Sequence, residues 1–448
     1  MVAVMAEQNR YTLVAGLGAS GLAAVRHLRR LGEPVLVVDS RASPPGLAGL
    51  EREYPEVAIE LDTLDARWLD HADRLVLSPG LSIETPLAVE ARRRGIEVVG
   101  ELELFARAAT APVLAVTGSN GKSTVTSLVS HLLSAQGLKA PAGGNLGPPA
   151  LELLGQGEVD AYVLEVSSFQ IETTHSLIPH AAVLLNISPD HIDRHGSLER
   201  YASLKGWLMR QSERAVVNWD DELVRELAPR TEKTVPFSVR EPLSFGWSLV
   251  ERDGVQWLAR DLEALIPVSN LAIGGTIGKA NALAALALTE CFDLDIDCAR
   301  SALSTFRGLP HRMHEVGIVD GVRYIDDSKG TNVGAAVAAL KSIDEPIVLI
   351  AGGQGKGADF EPLARAARDR VKTAILLGKA AEALESAFTG SVPTVRSPDM
   401  PTAVERAAGI AESGDCVLLS PACASQDMFA DYRERGQIFA AAVGSLRR

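Results

Sequence analysis

Two short glycine-rich stretches contain residue types that can handle phosphate. Residues 16–21 read GLGASG, and residues 117–124 read TGSNGKST. In the first, Gly16, Gly18 and Gly21 fit G-x-G-x-x-G, and Asp39 lies 18 residues beyond Gly21. Glycines so spaced permit a tight turn and close main-chain approach, and the helix that follows offers unpaired N–H groups to a phosphate. The pattern specifies a diphosphate near a helix start; it does not by itself specify nicotinamide. In the second stretch, Ser119, Asn120, Gly121, Lys122, Ser123 and Thr124 form a Walker-like loop, although Gly118 stands only three residues before Gly121, closer than in the standard loop. Successive N–H groups there can cup phosphate oxygens, Lys122 can neutralise the β/γ region, and Ser123 or Thr124 can bind Mg²⁺. Phosphoryl transfer also needs metal ligands at strand ends. Glu165 in VLEVSSFQ and His191 in NISPDHIDRH are the candidates, with Asp190 and Asp193 equally suited by chemistry alone.

These residues need a frame that delivers strand ends to one place. Apolar, strand-like runs alternate with helix-period segments along the chain, beginning with YTLVAGLG, SGLAAVRHLRRLG and PVLVVDS. This βαβ rhythm predicts parallel sheets with helices on both faces. It restarts at VLAVTGSNGKST and again near GLPHRM, so three α/β domains are expected, 1–100, 101–308 and 309–448. The strand ending in LSPG at 77–80 offers a wall opposite the first loop. The less regular stretch 234–275 reads as a small β meander, followed by the apolar helix KANALAALALTECF.

The chain has 448 residues and a formal net charge of −13, which argues against a nucleic-acid binder. The start MVAVMAEQNRYTL lacks a charged segment followed by an apolar run, so no signal peptide is expected. No apolar stretch reaches the roughly 18 residues of a membrane span. A cytoplasmic protein with buried, reduced cysteines is expected, since Cys291, Cys298, Cys416 and Cys423 show neither C-x-x-C nor zinc spacing.

Taken in order, TGSNGKST, GGNLG (143–147), LEVSSFQIE (164–172), LNISPDHIDRH, GLPHRM, DDSKGTN (326–332), AGGQGKGADF (351–360) and LLSPACASQDMF (418–429) closely resemble the Mur ligases of peptidoglycan synthesis. The resemblance spans essentially the whole chain. It implies a Rossmann-like N-terminal domain that binds the uridine diphosphate of the substrate, a P-loop mononucleotide-binding central domain for ATP, and a Rossmann-like C-terminal domain that completes the ATP site and receives the amino acid. Two phosphate loops then serve two nucleotides, and NAD is not a cofactor. The implied reaction consumes ATP, UDP-N-acetylmuramoyl-L-alanine and D-glutamate, with two Mg²⁺ ions, and a monomer is expected.

Site roles follow from the resemblance residue by residue. Lys122 contacts the β/γ-phosphates. Ser123 or Thr124, with Glu165, binds the first Mg²⁺, and His191 binds the second. Lys205 matches a carbamylated lysine that helps hold the second metal, whereas its residue chemistry alone reads as a solvated helix lysine. Gly18, Ala19, Ser20, Asp39, Ser40, Arg41 and Gly80 fall at uridine-nucleotide positions, and Asn145, Ser167 and Gln170 near the MurNAc-alanine arm. Arg312 and Asp327 contact ATP, and Lys329, Thr331, Lys356, Ser425 and Tyr432 form the glutamate site. Where the family shows HNxxNA, this chain has IGKANA: Asn281 keeps the last asparagine, but Ile277 and Gly278 replace the histidine–asparagine pair. Gln426 and Tyr432 also depart from common residue types near the expected glutamate pocket.

Overall fold

A computed structural model of the chain describes residues 10–446. Residues 1–9, on which most of the signal-peptide expectation rests, lie outside the described residues. The chain divides into two compact units, one built mainly on 10–187, 191–266 and 283–302, the other on 188–190, 267–282 and 303–446.

The first unit carries two sheets. The five-stranded sheet comprises β1 (Tyr11–Ala15), β2 (Val35–Val38), β3 (Ala58–Glu60), β4 (Ala72–Leu77) and β5 (Glu97–Val99), in the order β3-β2-β1-β4-β5. All its pairings are parallel. Fully buried runs such as YTLVA and VLVV suit strands covered on both faces. The order reverses at β1, so the crevice for a ligand opens beyond the carboxyl ends of β1 and β4.

The nine-stranded sheet contains β6 (Val113–Thr117), β7 (Ala142–Gly144), β8 (Tyr162–Glu165), β9 (Ala181–Leu184), β10 (Arg214–Asn218), β11 (Thr234–Ser238), β12 (Trp247–Arg252), β13 (Val255–Arg260) and β14 (Glu263–Pro267). β6 lies between β8 and β9, a second switch point. The meander expectation for 234–275 holds only in part. β12 and β13 do form an antiparallel hairpin, but β11 and β12 first extend the parallel sheet beyond β10. The pattern was obscured because this edge is only half covered, so its strands lack the continuous apolar runs of the centre.

The second unit holds a six-stranded sheet: β15 (His314–Val319), β16 (Val322–Asp326), β17 (Ile347–Gly352), β18 (Val371–Leu377), β19 (Thr394–Arg396) and β20 (Cys416–Leu419), in the order β15-β16-β20-β17-β18-β19. Only the β15 edge is antiparallel. The four cysteines are free; Cys416 and Cys423 are buried as expected, while Cys291 and Cys298 are only partly buried. No helix among the described residues is long and apolar enough to cross a membrane.

Candidate active site

The first loop leaves β1 at Gly16, whose φ of +90° and position 2.7 Å (as a would-be Cβ) from the Ser78 Cβ require glycine. Gly21 packs the following helix, Ala19–Arg30, onto the loop so closely that a Cβ there would fall 1.9 Å from the Gly16 carbonyl oxygen. Gly18 is different: a Cβ there meets no atom within 4 Å. Ala19 and Ser20 open the helix beside it, and Gly80 faces similar open space. Asp39 is buried and accepts from the Leu17 N–H at 2.6 Å and from Arg41 through its main-chain N–H, Nε and Nη2. Burial pushes its carboxyl up, but these donors outweigh burial and hold it below the usual range. Asp39 therefore fastens the loop and orients Arg41, whose own side chain is exposed next to Ser40.

The second loop lies at the switch point of the larger sheet. Gly121, at φ +85°, caps the helix Lys122–Ala135. Lys122 Nζ donates to the Gly118 and Ser119 carbonyls at 3.0 and 2.9 Å. Ser119 Oγ lies 3.1 Å from the Tyr201 hydroxyl, and the Asn120 main chain is gripped by the Asn186 amide. Thr124 is buried on the first turn. Glu165, at the end of β8, accepts from Ser123 Oγ and, at 2.5 Å, from Asn145 Nδ2. A hydroxyl and a carboxylate meeting at strand ends is a hard-oxygen arrangement that suits Mg²⁺, which binds through one or two carboxylates and fills its shell with water and phosphate oxygens. Among the described residues no group of three or more His, Cys, Asp or Glu side chains gathers around a metal position.

His191 follows β9 in the left-handed region at φ +54° and caps the short helix Ile192–His195. Its ring meets Phe169 edge-on at 4.7 Å. Ser167 and Gln170 form a capping box on the turn after Glu165. Lys205 corrects the reading from residue chemistry. It is buried, not solvated, on the inner face of the helix Leu198–Gln211. Its Nζ lies 3.3 Å from Thr117 Oγ1 and 4.7 Å from the centre of the Tyr201 ring. The helix packs against β9, so the face bearing Lys205 points toward the sheet and the second loop.

In the second unit, Asp326 ends β16 and Asp327 follows it. His311 Nδ1 lies 2.6 Å from Asp326. Asp327 accepts from Ser420 Oγ at 2.8 Å and from the Met313 N–H at 3.3 Å. Burial pushes Asp327 up to about 7. Arg435 is fully buried and donates to Ser328 and to the Cys423 carbonyl. It thereby ties the turn after β16 to the segment after β20. Lys329 Nζ sits 4.1 Å over the Tyr432 ring. The loop carrying the exposed Lys356 is pinned beside Ser425 by the Gln354–Ala424 main-chain pair. Arg312 and Thr331 are half-buried and Gln426 is exposed. Asn281 is buried in the helix Gly275–Thr289. The departure at Gly278 has a physical reason: a Cβ there would lie 2.3 Å from the Ile273 carbonyl oxygen.

Asn186, Tyr201, His311 and Arg435 support these groups and were missed from sequence. Their partners stand 66, 82, 15 and 107 residues away, so no local pattern announces them.

Comparison with known proteins places three families along the chain: the MurD-like N-terminal domain at 10–100, the Mur ligase middle domain at 116–289, and the Mur ligase glutamate ligase domain at 311–423. A UDP-N-acetylmuramoylalanine–D-glutamate ligase of Nitrosococcus oceani is 46% identical over 437 residues, covering 97% of this chain and 96% of that protein. The ligase of the same name from Pseudomonas aeruginosa is 45% identical, covering 98% of each. In fold, the chain resembles the UDP-N-acetylmuramate–alanine ligase of Thermotoga maritima with a TM-score of 0.61 at 21% identity, over 97% of this chain and 99% of that one.

Proposed function

The chain belongs to the Mur ligase family, and from that premise we infer that it uses ATP to join D-glutamate to UDP-N-acetylmuramoyl-L-alanine in peptidoglycan precursor synthesis. The observation that carries a ligase reading is the meeting of Lys122, Ser123 and Glu165 at the switch point of the larger sheet. A second phosphate loop, on the other sheet of the same unit, leaves one loop for each nucleotide.

A carboxylate at neutral pH is a poor electrophile. Transfer of the γ-phosphoryl group of ATP to the alanyl carboxylate gives ADP and an acyl phosphate. The amine of D-glutamate then attacks that carbonyl, loses a proton, and expels phosphate from the tetrahedral intermediate. The main-chain N–H groups of 119–122 hold the transferring phosphates, and Lys122 turns from its own loop carbonyls to the β/γ-oxygens. Ser123, Thr124 and Glu165 would hold one Mg²⁺; His191, with Lys205 as its carbamate, would hold another. Bound Mg²⁺ neutralises phosphate charge.

Gly18, Ala19, Ser20, Ser40, Arg41 and Gly80 are assigned to the uridine diphosphate, with Asp39 fastening their loop. Asn145, Ser167 and Gln170 are assigned to the MurNAc-alanine arm. Arg312, Asp327 and Asn281 are assigned to ATP, and Lys329, Thr331, Lys356, Ser425 and Tyr432 to D-glutamate. Lys356 and Lys329 supply positive charge for its carboxylates. NAD has no place in this scheme, and the chain is taken to act as a cytoplasmic monomer.

The test is product formation by purified protein with ATP, Mg²⁺, UDP-N-acetylmuramoyl-L-alanine and a panel of amino acids. D-glutamate should give the highest kcat/KM, with one phosphate released per product. Preference for another amino acid, or phosphate release without amide formation, would overturn the reading.

A further inference from the structure

One buried polar cluster of the first unit has no part in the scheme above. Ser168 Oγ lies 2.9 Å from His195 Nε2, and His195 Nδ1 lies 3.3 Å from Glu172 Oε1. Serine, histidine and glutamate in this sequence resemble a hydrolytic triad. However, the His195 side chain is completely buried and Glu172 is 2% exposed, so no substrate can reach the serine. The cluster is a clamp. It joins the turn after Glu165 to the short helix that His191 begins.

Arg194 extends the clamp in a second direction. Its Nη2 donates to Glu172 Oε2 at 2.6 Å and to the Leu81 carbonyl at 2.9 Å. Its guanidinium lies 4.8 Å over the Phe169 ring, the ring that touches His191. Leu81 closes the turn that carries Gly80, and its Cδ1 packs against Gly16 of the first loop. One guanidinium thus touches the wall of the uridine-nucleotide site and the residues around His191. The left-handed His191 is a conformation that persists only where its surroundings impose it. Arg194 and His195 both donate main-chain N–H groups to the His191 carbonyl, and both reach Glu172 with their side chains. Glu172 is buried and accepts from Arg194, so any shift of Arg194 toward Leu81 is opposed at Glu172 and felt at His191.

We propose that Arg194 is a positioning residue that couples the two nucleotide sites: a UDP substrate seated against the 78–81 turn fixes Arg194, and through Glu172 and Phe169 fixes His191 in the arrangement that accepts ATP. The inference rests on the ligase reading for the identity of the two ligands.

Calorimetry tests it with a non-hydrolysable ATP analogue and Mg²⁺, titrated with and without saturating UDP-N-acetylmuramoyl-L-alanine. In the unaltered chain the UDP substrate should tighten analogue binding by about fivefold or more, the lower end of ordinary coupling between sites. Arg194→Met should bind each ligand singly within about threefold of the unaltered chain, with the enhancement reduced to near unity. Arg194→Lys keeps the charge but loses the planar guanidinium that lies over Phe169 while its Nη2 holds both acceptors, so it should lose the enhancement too. It is the deciding variant should Arg194→Met fail to fold. Absence of enhancement in the unaltered chain, its survival in a folded variant, or loss of single-ligand binding in Arg194→Lys overturns the proposal. Failure of the unaltered chain to bind the UDP substrate at all identifies the ligase reading as the fault.

Discussion

At the residue scale, the chemistry depends on a few side chains whose burial changes what they can do. Lys205 is a buried cation close to a hydroxyl and an aromatic face, a costly placement for an ammonium unless it is compensated. Reaction of its neutral amine with CO₂ would release a proton and leave an anionic carbamate that Mg²⁺ favours. Lys205→Ala should then lose turnover by on the order of 10²-fold or more, as when one well-placed charge-stabilising group is removed. Added acetate should restore part of the rate, whereas Lys205→Arg should gain nothing. Steady-state rates across an acetate series check both. Asp327 behaves differently. Its folded pKa, raised to about 7 by burial, means that the native state holds a proton the unfolded state has already lost above about 4. Stability contributed by the protonated acid therefore falls as pH rises between about 4 and 7. Asp327→Asn should gain stability relative to the unaltered chain across that window, by up to about 1.4 kcal/mol per pH unit. Denaturant melts at several pH values measure this, and a pH-independent difference would contradict it.

At the element scale, both loops of the first unit follow one rule: a strand ends at a switch point and a glycine turn aims a helix amino terminus into the crevice. The glycines within the first loop are not equivalent. Gly18 faces open space, so Gly18→Val should fold normally and lose UDP-substrate binding by at least tenfold, with ATP binding retained. Gly21 sits against the Gly16 carbonyl, so Gly21→Ala should instead destabilise the fold and weaken both ligands together. Calorimetry with each ligand, alongside a thermal melt, separates the two outcomes. Equal loss of both ligands in a Gly18→Val protein of normal stability would refute the loop assignment.

At the scale of the whole molecule, the apolar cores define the cooperative units. One core runs without a break from Val14 of the smaller sheet, through Leu102 and Phe105 of the helix Glu101–Ala108, to Tyr162 and Leu164 of the larger sheet. The third sheet has two cores whose buried members lie between Val319 and Val443. Calorimetric unfolding should accordingly show two transitions, as expected where separate cores break two-state behaviour. The Phe105 ring meets Tyr162 edge-on at 5.1 Å. Phe105→Ala should remove about 3–5 kcal/mol and lower the transition of the first unit by roughly 10 °C, at about 2–4 °C per kcal/mol. The other transition should stay in place. A single transition that moves as a whole would show the units to be one.

Much of this was legible in the chain because it is local. Strand β6, the loop TGSNGKST and its helix follow one another in sequence, so apolar runs, glycines and helix period disclose the loop without any partner. The βαβ rhythm disclosed parallel sheets for the same reason, and the ordered motifs carried the family. What tertiary structure alone decided is where distant residues meet. Asp39 turned inward to fasten Leu17 and Arg41, Lys205 was buried, and Glu165 received Ser123 from 42 residues away. Arg194 reached Leu81 across 113 residues. Periodicity fixes which face of an element is apolar, but not which strand becomes its neighbour. That depends on the order in which strands pack, and the buried polar partners are set only once that order is closed.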